Sequence, residues 1–532
     1  MTQVIFFIVL AIYVFAGAIV ARFVKTKDDF YVMGERGSTV LIVGTLAATY
    51  LSAVTLMGIA GQSYAEGPLV IAALGSFGAW LGTLIAVIYI GRKMKALDCK
   101  TMPDFFEKRF KNNTVSIIAL IIMIIGLLGY GVIQLIGAGL VLSSVTGISF
   151  EWMIILFTVA LLVFCALGGM YGVVITDTIM FFTMLAISII IAPMIMGQAT
   201  FGEMKALADT IPFYWTIGGA EQRPLGWSIS QFLVWILFFA CTPALVSRVF
   251  PAKNDFVILK AAVIGVFLAP FMQVTVFLAA GGMQVLQPGI QDLDNVMVIG
   301  FLEHVPAGLG GIGLAGLMAS IMSTASTLFV LTGFALARDL YEHLFGKGKE
   351  ISEKRSLMLG RYAQVFIAVV VCLIAISRPS AIYWISIYAG SIFAVGWLPT
   401  IVGGLEWKRM NSKAATGSML IATSTFVIID ELARREIITL PVHIDSLMIS
   451  FAVGVLSLIV IALVTKPTDY ELDYYHKMKQ TSLSHSTIKS ILAEEKGLVK
   501  LKKEYRQTMI ISVAFIGIAA IVWGYFFIML GL

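Results

Sequence analysis

The sequence predicts an all-α polytopic membrane protein with about fourteen transmembrane helices, and three observations carry that prediction. Hydrophobic residues make up 59% of the chain and charged ones only 13%, with a mean hydropathy of +0.94. A water-soluble chain of 532 residues needs far more polar surface than this. The apolar residues are gathered into runs long enough to cross a bilayer, at 4–22, 38–65, 70–91, 115–141, 151–168, 174–196, 228–247, 257–283, 308–337, 359–377, 381–404, 414–430, 443–464 and 507–530. Of the 37 Lys and Arg residues, 32 fall in one alternating set of loops, which makes that set cytoplasmic. An even number of crossings then leaves both chain ends outside.

Taken in order, the first run lacks a basic n-region and a small-residue cleavage site, so Met1–Ala21 reads as a retained helix. The second, around LAATYLSAVTLMG, is punctuated by Gly44, Gly58 and Gly61. Either these small residues let a neighbouring helix pack closely, or Ala48–Ser52 unwinds and exposes carbonyls, which mid-membrane backbone tolerates only beside a cavity, protein or an ion. In GYGVIQLIGAGL, Gln134 offers two amide donors and two acceptor lone pairs, enough for a polar solute or for a helix–helix bond. Asp177, in GGMYGVVITDTIMFF, is a carboxylate near the start of a span. Such a group marks an ion or solute path unless it reaches headgroup water. The external stretch Thr200–Trp227 holds Pro212, Phe213, Tyr214 and Trp215, fit for an interfacial lid. Trp235 and Phe239 lie one turn apart before Pro243; they are packing residues or the cover of a solute cavity beside a mid-helix proline.

The span that begins at Gly308 carries the densest polar chemistry. Ser320, Ser323, Thr324, Ser326 and Thr327 put five hydroxyls on eight positions of an apolar helix. One or two would bond back to carbonyls a turn away; five at spacings of three and four form a stripe. Neutral oxygens in a stripe can replace the hydration shell of a monovalent cation, whereas a divalent site would recruit carboxylates. A hydroxyl-rich helix contact is the competing reading. Farther on, Thr465–Arg506 mixes basic and acidic residues, and its second half from Ser486 reads as an amphipathic helix with Lys500, Lys502 and Lys503 toward headgroups, or as a solvated linker.

Other classes fit poorly. Cys99, Cys165, Cys241 and Cys372 are scattered and form no metal-ligand or disulfide pattern. The net charge of +6 is explained by loop placement, so no nucleic-acid partner is expected, and no obligate protein partner is implied. Asp177 has no neighbouring nucleophile–base set, which argues against an enzyme.

These residues resemble the sodium/solute symporter family over the full length, through FYVMGERG from Phe30, TMPDFFEKRF from Thr101, GGMYGVVITD from Gly168 and LMASIMSTAS from Leu317. The resemblance implies a 5+5 inverted-repeat core like that of the leucine transporter. It divides the chain into a leading helix and loop (1–37), a first repeat (38–196), an external loop (197–227), a second repeat (228–410), accessory helices (411–465), a charged cytoplasmic linker (466–506) and a final helix (507–532). It implies a first sodium ion held by the carbonyls of Ala48, Leu51 and Ser320 and the hydroxyls of Ser323 and Thr324. Asp177, Ser323, Ser326 and Thr327 match a second sodium set found in some members. Arg36 would serve coupling or the inner gate, together with Pro243. The solute would meet Ser52, Thr55, Gln134, Trp235 and Phe239. Sialic-acid members carry an arginine near position 134, so Gln134 argues against a copied sialic-acid site; proline carriers have a tyrosine where Phe239 stands.

Patterns such as ATYLSA and VGGLEWKRMNSKAA are nearest to the pantothenate/sodium symporter and monocarboxylate permeases. The expected function is therefore sodium-coupled import of a small organic carboxylate across the inner cell membrane. A sodium/proline or sodium/sugar symporter, a proton-coupled symporter in which Asp177 titrates, and a transporter-like sensor are the alternatives. The sensor reading expects an appended signalling domain, and none follows residue 532.

Overall fold

The computed structural model describes residues 1–24, 26–70, 77–336 and 353–530. Helices dominate it throughout, as continuous apolar sequence in a bilayer requires: each helix satisfies its own backbone groups. The chain runs through α1 (Thr2–Val20), then α2 (Thr39–Tyr50) and α3 (Val54–Glu66), which form one span bent by 51°. Next come α4 (Phe77–Leu84), prolonged through Ile85–Gly91 to Ala96, the short α5 (Met102–Phe110) and α6 (Asn113–Thr146). Helices α7 (Phe150–Cys165) and α8 (Gly168–Gln198) meet at Gly169, whose φ of +51° only glycine adopts at low cost. They are followed by α9 (Leu225–Ala240), α10 (Asp255–Leu286), α11 (Ala307–Phe334), α12 (Glu353–Ile376), α13 (Ile382–Glu406), α14 (Ser412–Arg434) and α15 (Ser446–Val464). Two short polar helices, α16 (Asp469–Gln480) and α17 (Leu483–Leu492), precede α18 (Gly497–Leu530).

Among the described residues, nine helices are singly long and apolar enough to cross a membrane, and the bent α2–α3 pair makes a tenth. Helices α7 and α9 are apolar but shorter. Residues 71–76 of the expected third crossing and most of the basic stretch Arg338–Arg361 lie outside the described residues.

Helix α11 is the axis of the bundle: its whole spanning window is buried, so its small residues face protein on every side. Close approaches are made at glycines. A Cβ on Gly44 would lie 2.8 Å from Thr178 of α8, one on Gly61 2.3 Å from the Leu293 carbonyl oxygen, and one on Gly316 2.5 Å from Ile187. Gly78 and Gly82, one turn apart on α4, would place Cβ atoms 2.5 Å from the carbonyl oxygens of Phe232 and Ile236 on α9. That small-xxx-small seam joins α4 to α9 backbone against backbone.

The charged linker 466–506 differs from expectation in its helices. The helix expected to run from Ser486 is interrupted between Leu492 and Gly497, and α16 and α17 are docked on the core. The fully buried Arg109 donates to the carbonyls of Gly404, Met410 and Glu471, bonding α5 to the end of α13 and to α16. On the opposite face, Tyr214 of the expected lid is fully buried and its hydroxyl donates to the carbonyls of Ser63 and Tyr64.

Candidate functional site

The second span breaks at Leu51 and Ser52. Leu51 takes an extended conformation (φ −84°, ψ 99°) and a π-type turn begins at Val54. The three glycines of this span are close-approach points and not the break itself. Among the described residues, no backbone N–H bonds the carbonyls of Ala48 or Leu51, so both oxygens are released from the helical ladder. A second interruption lies nearby: α9 stops at Ala240, Cys241 is non-helical, and a single turn restarts at Thr242 with Pro243 in its first position. Pro243 is thus a helix start, where its missing N–H costs nothing, and not a mid-helix residue. The breaks are adjacent, since the rings of Tyr50 and Phe239 are 5.3 Å apart.

Gln134 of α6 caps the first break: its Oε1 accepts the N–H of Ala53 at 3.3 Å. Its Nε2, fully buried, has no hydrogen-bond partner. Ser52 Oγ accepts the Val54 N–H, and Thr55 Oγ1 donates to the Tyr50 carbonyl. Tyr130, one turn before Gln134, turns its hydroxyl toward Ser52. Around this polar patch, Trp235 lies 5.8 Å from Phe239, 5.6 Å from Phe238 and 6.3 Å from Tyr383 by ring centroids. Gln273 of α10 accepts from both Tyr50 and Trp80 at 3.1 Å. The structure therefore brings together Ser52, Thr55, Gln134, Trp235 and Phe239 from three segments: the broken second span, α6 and α9. Tyr130, Trp80 and Gln273 were missed, because a lone aromatic or amide in an apolar run carries no distinguishing spacing.

The hydroxyl stripe divides in two. Ser320, Ser326 and Thr327 bond back to the carbonyls of Leu317 and Ser323, as a packed helix allows. Ser323 and Thr324, equally buried, have no well-formed hydrogen bond, although Ser323 stands beside Asp177. Buried hydroxyls left open in this way are uncommon and point to a missing partner.

Asp177 is fully buried two turns into α8, beyond reach of headgroup water. Its Oδ2 accepts from Thr45 at 2.7 Å and pairs with Arg248 at 3.0 Å. Arg248, also fully buried, bonds Thr49 at 2.8 Å and Thr327, and lies 3.4 Å from Met170 Sδ. Its guanidinium thus stands among the residues expected to hold a second cation. Sequence reasoning counted Arg248 only as a cytoplasmic loop charge.

Arg36 is mostly exposed and approaches Asp29 only at 4.0 Å. Its neighbours make the shorter contacts at this end. Glu35 pairs with Lys95 at 3.0 Å and Lys100 at 3.2 Å, while Gly37 exchanges backbone bonds with Pro251 and Lys253. The Glu35 pairs latch the chain before α2 to the end of α4 and the loop after it, and the Gly37 bonds latch it to the turn before α10.

The model of the sodium:solute symporter family matches residues 30–422. Similar proteins include the sodium/pantothenate symporter of Haemophilus influenzae, 24% identical over 80% of this chain and 89% of that one. The osmoregulated proline transporter OpuE of Bacillus subtilis is 28% identical over 76% of this chain and 84% of its own. In fold, the chain is similar to a substrate-bound, outward-open sodium-coupled sialic acid symporter, with a TM-score of 0.72, 19% identity, and 88% and 98% of the two chains covered. Mhp1, a nucleobase-cation-symport transporter, aligns with a TM-score of 0.56 at 13% identity, over 84% and 98%. The chain belongs to the sodium:solute symporter family, a membrane transporter and not an enzyme, with sodium as the co-transported ion.

Proposed function

We propose that this protein imports a small organic carboxylate, a monocarboxylate or a pantothenate-like acid, together with sodium. The observation that carries the reading is Gln134, a fully buried amide that spends its oxygen on the broken helix and leaves its donors unpaired beside Ser52 and Thr55. Neutral donors of this kind suit a carboxylate whose charge is balanced by a nearby sodium ion. Phe239, lacking a hydroxyl, leaves an apolar cover with Trp235 for the rest of the solute.

Sodium would take the released carbonyls of Ala48 and Leu51, the Ser320 carbonyl, and the hydroxyls of Ser323, beside Asp177, and Thr324. Five oxygens without a carboxylate suit a monovalent ion. Binding there ties α2 to α11 and shapes the neighbouring solute cavity, so each ligand raises the affinity of the other. A second ion at Asp177, Ser323, Ser326 and Thr327 requires Arg248 to give way. Rocking of two inverted repeats, 38–196 and 228–410, within fourteen crossings would expose the cavity to each side in turn. Both termini would then lie outside the inner membrane. An interior-negative potential drives each sodium inward by ~2.3 kcal/mol per 100 mV.

The test is uptake by the reconstituted protein of labelled pantothenate, acetate, pyruvate, propionate, proline, a sugar and sialic acid. An inward sodium gradient is compared with an equal potassium gradient. Sodium-dependent accumulation of one carboxylate is expected. Accumulation of proline or sugar alone, or accumulation driven only by a proton gradient, overturns the reading.

A further inference from the structure

The docked linker closes over a cavity of about 300 Å³ at the cytoplasmic ends of the helices, away from the ion and solute residues. One wall is the prolonged end of α4, with Arg92 and Lys93; the other is the α16–α17 corner, with Lys479, Ser482 and Ser484. The floor is apolar, including Ile88, Leu405 and Met478. Among the described residues, three cations therefore meet at one seam, joined to two carboxylates. Glu406 is shared by Lys93 and Lys479 and also accepts from Tyr89 at 2.7 Å. Asp255 takes Arg92 in a two-pronged pair at 2.6 and 2.7 Å, with Ser484 donating to it at 2.5 Å and accepting from Arg92 at 2.8 Å.

A donor count shows what this leaves over. Each lysine ammonium has three N–H donors and shares one carboxylate, and Arg92 engages its partners through Nε and Nη2, leaving Nη1. The Ser482 oxygen accepts the His485 N–H, and its own O–H remains to be given. Surplus positive charge, several spare donors and an apolar floor in one cleft suit a compact anion with several acceptor oxygens and an apolar attachment.

We infer that the seam between α4 and the α16–α17 corner binds a phosphate group, contacted by Arg92, Lys93, Lys479 and Ser482, and that its occupancy holds the cytoplasmic linker against the core. The phosphate comes either from an anionic lipid headgroup at the membrane surface or from a soluble phosphate ester, and the chemistry of recognition is the same.

The full-length protein is placed in phosphatidylcholine nanodiscs with or without phosphatidylglycerol. Lipid retention is read by native mass spectrometry, and inorganic phosphate or glycerol phosphate binding is read by equilibrium dialysis. The lipid source predicts preferential retention of phosphatidylglycerol, displaced by glycerol phosphate. The soluble source predicts saturable binding of the free phosphates with no lipid preference. In either case Lys93→Gln with Lys479→Gln weakens binding by roughly tenfold or more, the loss expected for a charged hydrogen bond. Ser482→Ala, which removes one hydroxyl and leaves every ion pair intact, weakens it less. Absence of both preferential retention and saturable phosphate binding in the unaltered protein overturns the inference. So does binding that neither replacement changes.

Discussion

Replacing Asp177 by Asn removes one partner of an ion pair that water does not reach. At 3.0 Å, two unit charges attract by roughly 5–6 kcal/mol at an effective dielectric constant of about 20. Taking each ion out of water costs several kcal/mol, so the pair as a whole contributes little net stability. Breaking it is different. Arg248 would keep the hydroxyls of Thr49 and Thr327, the sulfur of Met170 and at best the neutral amide oxygen of the new Asn, none of which carries a compensating charge. A loss of about 3–5 kcal/mol is expected for Asp177→Asn. Combining it with Arg248→Met removes charge and countercharge together and retains an apolar stem, so most of that loss should return. The assay is denaturant-induced loss of the folded protein in detergent for both single variants, the double variant and the parent. A single variant as stable as the parent, or a double variant as weak as the sum of the singles, refutes the argument. The same variants report on the second ion, since an unchanged sodium-to-solute ratio in Asp177→Asn removes that role from the carboxylate.

Ser323→Ala with Thr324→Ala should abolish sodium dependence while folding is kept, because neither hydroxyl makes a well-formed hydrogen bond to the described residues; unchanged sodium affinity would sink the assignment. Gln134→Leu should raise the solute KM by roughly tenfold or more and change the sodium requirement less, read from uptake at fixed and varied sodium. Gly82→Ala sets a Cβ 2.5 Å from the Ile236 carbonyl oxygen, so α4 and α9 must separate. About 1–3 kcal/mol of stability should be lost, seen as a lower denaturation midpoint. Burial pushes the Glu35 carboxyl upward, but the Lys95 charge and the bonds from Lys95 and Lys100 outweigh it and hold it below its usual value. A depressed folded value means that the latch is complete above the ordinary carboxylate range and is lost as the pH on its side of the membrane falls through the lower folded value. Glu35→Gln should therefore speed solute efflux from loaded vesicles at neutral pH, and an unchanged rate would count against the latch.

The helical class and the polar stripe were legible because both are periodic features of the chain itself. The break at Leu51–Ser52 was foreseeable as one of two options, since small residues serve close packing and unwinding alike; here Gly44 and Gly61 pack and Leu51 unwinds. Arg248 was not legible. In a cytoplasmic loop count it is one basic residue among many, and only the fold places it at 3.0 Å from Asp177. Pro243 misled for a local reason, because proline within an apolar run reads as a kink whether or not a new helix starts there. Arg36 stood out in its motif, but the ion pairs at that turn belong to Glu35.

The seam at Gly78 and Gly82 has a mechanical meaning. With backbones in contact, α4 and α9 cannot slide past one another and must travel as a single splint. Trp235 and Phe239 are carried on one side of it and Trp80 on the other, and Trp80 shares Gln273 with Tyr50, the last residue before the break. If the solute and sodium occupy the sites proposed above, a solute that crowds Trp235 would tug on the backbone carrying the Ala48 and Leu51 carbonyls. Bulk in the cargo would then weaken the grip on sodium, so an oversized analogue should demand more sodium for its transport and not merely more of itself.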